Sequence, residues 1–145
     1  MRVTDWMSTD PVTVTPDMTV AEARKVMRLR GVRHLPVVEE GQLMGMLSDR
    51  DVRITDIHLE DLATADEPGR ITGHERQVRE AMSTPVHVVA LDASIDDAAR
   101  MMLSRRISSV PVLASDGSLA GLVTTTDCLL AFLSPEAEAA RGETD

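Results

Sequence analysis

The side chains with the type and spacing for chemistry fall mainly at two places in this chain. Ser48 and Asp51 stand three residues apart, as do Thr124 and Asp127, so each place offers a hydroxyl and a carboxylate. Ser or Thr followed by an acid three residues later is a capping box, which satisfies backbone N–H groups at the start of a helix. Arg33 and His34 precede the apolar run that leads to the first of these pairs. Arg33 suits an oxyanion through its planar fork of donors, or stands solvated at the start of a strand. His34 suits a phosphate neighbour or a buried, hydrogen-bonded imidazole. His34, His58, His74 and His87 lack the spacing of metal ligands. The sequence shows no Ser-His-Asp or Cys-His constellation and no Gly-rich phosphate loop. Asp49 and Asp51 flank Arg50 and read as a helix start rather than an acid pair. The expectation is a chain that is not an enzyme, with no metal and no obligatory cofactor.

Composition narrows the class further. Of 145 residues, 43% are hydrophobic and 27% charged, a globular balance for one domain or two small units. The longest apolar runs are a few residues, too short to span a membrane. No signal peptide is visible at the start. With one cysteine, Cys128, there is no intrachain disulfide, and a cytoplasmic location is expected. A net charge of -9, no Tyr, one Phe and one Trp argue against nucleic acid as a partner. Against that acidity, Arg24, Lys25, Arg28, Arg30 and Arg33 follow one another with no acid among them. Such a stretch is a solvated helix face or the neighbour of a small anionic ligand.

What positions these residues is an internal duplication. At a constant offset Val3 falls on Val78, Met7 on Met82, Asp17 on Asp92, Ala23 on Ala98, Met27 on Met102 and Pro36 on Pro111. One residue more in the second hairpin brings Gly45 onto Gly121 and Asp51 onto Asp127. Each copy opens on a short β-rich stretch, Val12–Val14 or Val86–Val89, after a proline. Thr19 to Glu22 and Ser94 to Asp97 then read as helix starts, each followed by an apolar helix face. Two apolar runs follow, Leu35–Val38 and Leu43–Leu47, or Val110–Leu113 and Leu119–Val123, split by turn residues. A last helix opens at Ser48 or Thr124, and Cys128, aligned with Val52, is a core position on it rather than a nucleophile.

The order β-α-β-β-α, twice, predicts an α/β fold of the α+β type, with helices on small sheets. A copy of roughly 55 residues buries only a marginal core, so the two are expected to pack about a pseudo-two-fold axis with clefts between them. The division is residues 1–54 and 78–133 for the copies, 55–77 for a linker, and 134–145 for a frayed, disordered acidic tail.

Met-Ser-x-x-Pro-Val ahead of a strand, a Pro-Val pair within the next, and Gly-h-h-[Ser/Thr]-x-x-Asp after the hairpin resemble the CBS domain, named after cystathionine beta-synthase. The last motif stands here as Gly45 to Asp51 and as Gly121 to Asp127. The resemblance implies a tandem pair, or Bateman module, that binds AMP, ADP, ATP or S-adenosylmethionine in clefts between repeats and regulates a separate effector protein. Carried over by position, it gives ribose binding to Asp51 and Asp127, and ribose or phosphate contact to Ser48 and Thr124. Arg33 and His34, or Ser108 and Ser109, take the phosphate side. Val12 and Thr13, or Val86 and His87, take the adenine. A carboxylate suits a ribose diol because it accepts two hydrogen bonds and donates none. The rival reading is a ligand-free dimerisation scaffold. Family modules often pair, so a homodimer is expected, with Leu129, Leu130, Phe132 and Trp6 as candidates for the seam.

Overall fold

The computed structural model describes residues 1–54 and 76–142. Residues 55–75 of the expected linker, with His58 and His74, and the last three residues lie outside them. Two compact units result, the first Val12–Val86 and the second Met1–Pro11 with His87–Asp145.

The first unit is built on a hairpin, β2 His34–Glu39 against β3 Gln42–Ser48, which follows β1 Ser8–Thr9 of the leader. Glu40 and Gly41 form its two-residue turn, both with positive φ, the conformation that matches the twist of the flanking strands. Val14 bridges to Val37 in parallel, so the β-rich stretch expected over residues 12–14 is reduced to one bridge. Helix α1, Val20–Arg30, starts where the Thr19 hydroxyl accepts the Glu22 N–H at 3.1 Å. It ends on Gly31 in the left-handed conformation, which a residue with a Cβ adopts at a cost. A second helix, α2, starts at Asp49 and continues through the described residues to Ile54. Val14, Val20, Ala23, Leu35, Val37, Leu47, Val52 and Val78 form the buried core.

The second unit repeats the frame. Helix α3 is the four-residue turn Val78–Ala81, which still belongs to the first unit. Strand β4, Val89–Ala90, runs parallel to β5, Ser109–Leu113, which pairs antiparallel with β6, Leu119–Thr124. With β1 on the far side the sheet order is β1-β6-β5-β4. Helix α4, Ile95–Arg105, opens on the Ser94–Asp97 capping box, and α5, Thr125–Phe132, follows β6 directly. Val3, Ile95, Ala98, Val110, Val112, Val123, Cys128 and Ala131 form its core. Burial pushes the Cys128 thiol up, helped by the nearby carboxylates of Asp127 and Asp96, so it stays a thiol as a core residue should.

The leaders cross over between the copies. Met1–Pro11 precedes the first copy in sequence but completes the sheet of the second. Val3 donates to the Ala93 carbonyl at 3.0 Å, Ile95 donates to Met1 at 2.9 Å, and Ser8 and Thr9 pair with Leu122 and Gly121. Residues 76–83 do the same for the first copy. Val20 donates to Arg76 at 2.7 Å, Val78 to Met18 at 2.8 Å, and Ser83 exchanges backbone hydrogen bonds with Met46 at 2.8 and 3.2 Å. Gly45 and Gly121 make this close approach possible. A Cβ at Gly121 would lie 2.5 Å from the Met7 sulfur and 2.8 Å from the Ser8 carbonyl oxygen; at Gly45 it would lie 2.6 Å from the Met82 sulfur.

The tail departs from its expected disorder. Pro135–Gly142 forms helix α6. Ser134 caps it, accepting the Ala137 N–H at 3.2 Å while donating to the Ala131 carbonyl at 2.7 Å, and Ala137 is buried. Ser-Pro is a helix-start pair, because proline at the first helical position lacks only an N–H that would be unpaired there. Glu136 and Glu138 in the first turn complement the helix dipole.

Candidate functional site

In the first unit the predicted residues meet where the hairpin hands over to α2. His34 and Ser48 are cross-strand partners at the open end of the hairpin. Asp49 donates its N–H to the Arg33 carbonyl at 2.9 Å, which fixes Arg33 at the same corner. Asp51 accepts the Ser48 N–H at 2.9 Å through Oδ2, and donates its own N–H to the Ser48 hydroxyl at 3.1 Å. The segment carrying Val12 and Thr13 runs into the parallel bridge at Val14, so it approaches from the end of β2 that carries His34. Six of the predicted residues therefore gather at one end of one small sheet.

The electrostatics of this corner are mixed. His34 is half-buried, and loss of solvent lowers its pKa; Arg33 lowers it further, while Asp49 and Asp51 oppose the shift. At neutral pH the imidazole is therefore largely uncharged and able to accept or donate one hydrogen bond.

The second unit brings its set together the same way. Ser109 pairs with Thr124 across the hairpin, and Thr125 donates its N–H to the Ser108 carbonyl at 3.1 Å. Asp127 accepts through Oδ2 from the Thr124 N–H at 2.8 Å and from the Thr124 hydroxyl at 3.1 Å. His87 lies in the stretch that enters β4, on the Ser109 side of the parallel pair. Val86 is the last residue of the first unit. Ser109 is buried, whereas its counterpart His34 is only half covered.

Of the seam candidates, Trp6 and Phe132 pack against the core of the second unit and remain partly exposed. Leu129 and Leu130 stay 57% and 54% exposed, and Leu103 and Leu133 join them at 81% and 69%.

Sequence reasoning also missed a groove of about 260 Å³ between α1 and α2. Arg24, Arg28, Arg33 and Arg53 line it, with one carboxylate, Asp49, and an apolar floor of Met27, Val32 and Val52. The basic stretch from Arg24 announced part of it. Arg53 joins only because it lies one turn beyond Asp49 on a different helix. Among the described residues no group of His, Cys, Asp and Glu is arranged to hold a metal. No described helix is long and apolar enough to cross a membrane.

Comparison with known proteins bears on the family and the fold. The family model of the CBS domain matches twice, over residues 3–55 and 78–134. The CBS domain-containing protein YhcV of Bacillus subtilis is 33% identical over 138 residues, covering 92% of this chain and 87% of its own length. Inosine-5'-monophosphate dehydrogenase of Methanocaldococcus jannaschii is 30% identical over 129 residues, but the match takes up 23% of that enzyme. Among solved structures, CBSX2 in complex with AMP superimposes with a TM-score of 0.75 at 27% identity, covering 91% of this chain and 96% of that one. The CBS domain pair of protein MJ0100, in complex with 5'-methylthioadenosine and S-adenosylmethionine, gives 0.74 at 27% identity over 91% and 95%. The cytosolic domain of the Mg2+ channel MgtE in complex with ATP gives 0.70 at 28% identity, covering 90% of this chain and 48% of that one.

Proposed function

This chain belongs to the CBS domain family as a tandem pair, and on that premise we propose that it is a cytoplasmic, non-catalytic regulatory module that binds an adenosine-containing ligand and signals to a separate effector protein. The observation that carries the reading is the recurrence, in both units, of a Ser/Thr-x-x-Asp box beside the residues that precede the Pro-Val pair. Asp51 and Asp127 take the ribose hydroxyls, with Ser48 and Thr124 beside them. Val12 and Thr13, or Val86 and His87, face the adenine. Arg33 gives the first unit a cationic phosphate side with the neutral His34 beside it, where Ser108 and Ser109 of the second offer only hydroxyls. Support comes also from the similar proteins bound to AMP, ATP, 5'-methylthioadenosine and S-adenosylmethionine.

Ligand at a hundred times its dissociation constant adds about 2.7 kcal/mol to stability, a rise of roughly several degrees in Tm for a domain of this size. A thermal-shift screen against AMP, ADP, ATP, S-adenosylmethionine, NAD and guanine nucleotides tests this. At least one adenosyl ligand is expected to raise Tm, and Asp51→Ala to weaken a charged nucleotide more than Asp127→Ala does in calorimetric titration. A screen in which no ligand moves the melting curve would leave the scaffold reading standing instead.

The module also pairs with a second copy of itself. The exposed leucines 103, 129, 130 and 133 on α4, α5 and the residue after it form the face for this, and a stable symmetric interface buries about 1,600 Å² in total. A dimer mass in light scattering at roughly tens of micromolar, which a dissociation constant of about 1 μM or less ensures, is the expected result.

A further inference from the structure

Building on the proposed function, we propose that the groove between α1 and α2 of the first unit is a binding site for a phosphoryl-type oxyanion, sharing Arg33 with the phosphate side of the nucleoside subsite but lying apart from Asp51. Four arginines, Arg24, Arg28, Arg33 and Arg53, line it, with Asp49 as the one carboxylate among the described lining residues. Asp49 is engaged with Arg53 at 3.8 Å, and Arg28 and Arg33 add two further positive charges to the lining of the groove within a chain of net charge -9.

Helix design alone does not account for this cluster. Arg28 in the last turn of α1 complements the helix dipole. Arg24 stands one turn earlier on the same side, and like charges four residues apart destabilise a helix. The second unit shows what the frame requires without a ligand. At the positions equivalent to the arginines it carries Ala99, Leu103, Ser108 and Leu129, with Thr125 in place of Asp49, and α4 and α5 form as well as their counterparts.

Position and size separate the groove from the nucleoside subsite. At about 100° per residue, Asp51 points roughly 150° around α2 from the side made by residues 49, 52 and 53. A volume of about 260 Å³ suits a phosphate or pyrophosphate group, below the roughly 300–1,000 Å³ that whole small-molecule ligands occupy. Planar forks arrayed around a concave floor hold such oxygens in bidentate pairs.

Phosphoryl oxygens could arrive as a free anion or as the tail of a nucleotide held at Asp51, and the test separates the two. Inorganic phosphate and pyrophosphate are titrated calorimetrically, at low ionic strength, into the wild type, Arg28→Gln/Arg53→Gln, Asp51→Ala and Arg28→Lys. Wild type and Asp51→Ala are expected to bind alike, and the double variant to lose about tenfold or more in affinity. Arg28→Lys, which keeps the charge and loses the fork, is expected to fall between them, and it decides the matter should the double variant fold poorly. Absence of binding to the wild type would overturn the proposal, as would equal binding to the double variant. A loss in Asp51→Ala as large as in the double variant would return the phosphate to the nucleoside subsite.

Discussion

Arg28 and Leu103 occupy equivalent turns of α1 and α4, and Arg53 and Leu129 equivalent turns of α2 and α5. Around them the two units share a hairpin, two side-chain-capped helix starts and a core of aliphatic side chains with one methionine. The same helical face is therefore a cationic groove in one unit and an exposed apolar patch in the other. A frame that accepts both shows that neither is needed for folding. Large exposed apolar patches mark interaction sites, and clustered guanidinium groups attract anions. The duplication has left the two units with chemically different surfaces at equivalent positions.

The largest expected effect comes from exchanging those surfaces. Leu129→Arg places at α5 the residue that Arg53 provides at the equivalent turn of α2, so the fold accepts it. It should convert the proposed dimer to a monomer in light scattering, while Arg53→Leu leaves the mass unchanged. A Leu129→Arg protein that remains dimeric would remove the α4–α5 face from the seam.

The leader crossings give the next largest difference. Gly121→Ala meets the Ser8 carbonyl oxygen at 2.8 Å, whereas Gly45→Ala meets that of Ser83 at 3.2 Å, and each also meets a methionine side chain. Methionine can move and backbone cannot. Overpacking of this kind costs about 1–3 kcal/mol. Gly121→Ala is expected near the top of that range and Gly45→Ala near the bottom, measured as loss of unfolding free energy in urea. The reverse order would show that the Met82 contact is the stiffer of the two.

The smallest effect concerns pH, and it belongs to the first unit alone. Burial lowers the pKa of His34 in the folded state below the ordinary 6.5, so between the two values the unfolded chain binds more protons. Stability therefore rises with pH through the window just below 6.5 and is flat above it. His34→Ser, which imitates Ser109, should flatten the Tm–pH profile there. A slope that survives the substitution would move its origin to another group.

Much of this architecture is local and was legible in the residues. Thr19, Ser48, Ser94 and Thr124 cap helices as their spacing predicts, because a capping box closes within four residues. Short apolar runs around Glu40-Gly41 and Asp116-Gly117 give the hairpins for the same reason. The sites followed in outline, since the residues before the Pro-Val pair and those opening the next helix are joined by the hairpin between them. Helix α6 is not legible from composition, although Ser134 and Pro135 signal its start, because an acidic, Ala-rich segment gains order only when something like Ala137 finds a core to bury against.

The amino-acid order by itself determined the duplication, the element types and the pairing of each hydroxyl with its carboxylate. The tertiary structure alone decided that each leader completes the other copy's sheet and that Arg53 joins Arg24 and Arg28 around one groove. Periodicity and capping act over one or two turns of chain and leave their signature in neighbouring residues. Which distant strand covers an open sheet edge, and which helices lie side by side, depends on how whole apolar faces are buried together, and no short stretch of sequence records that.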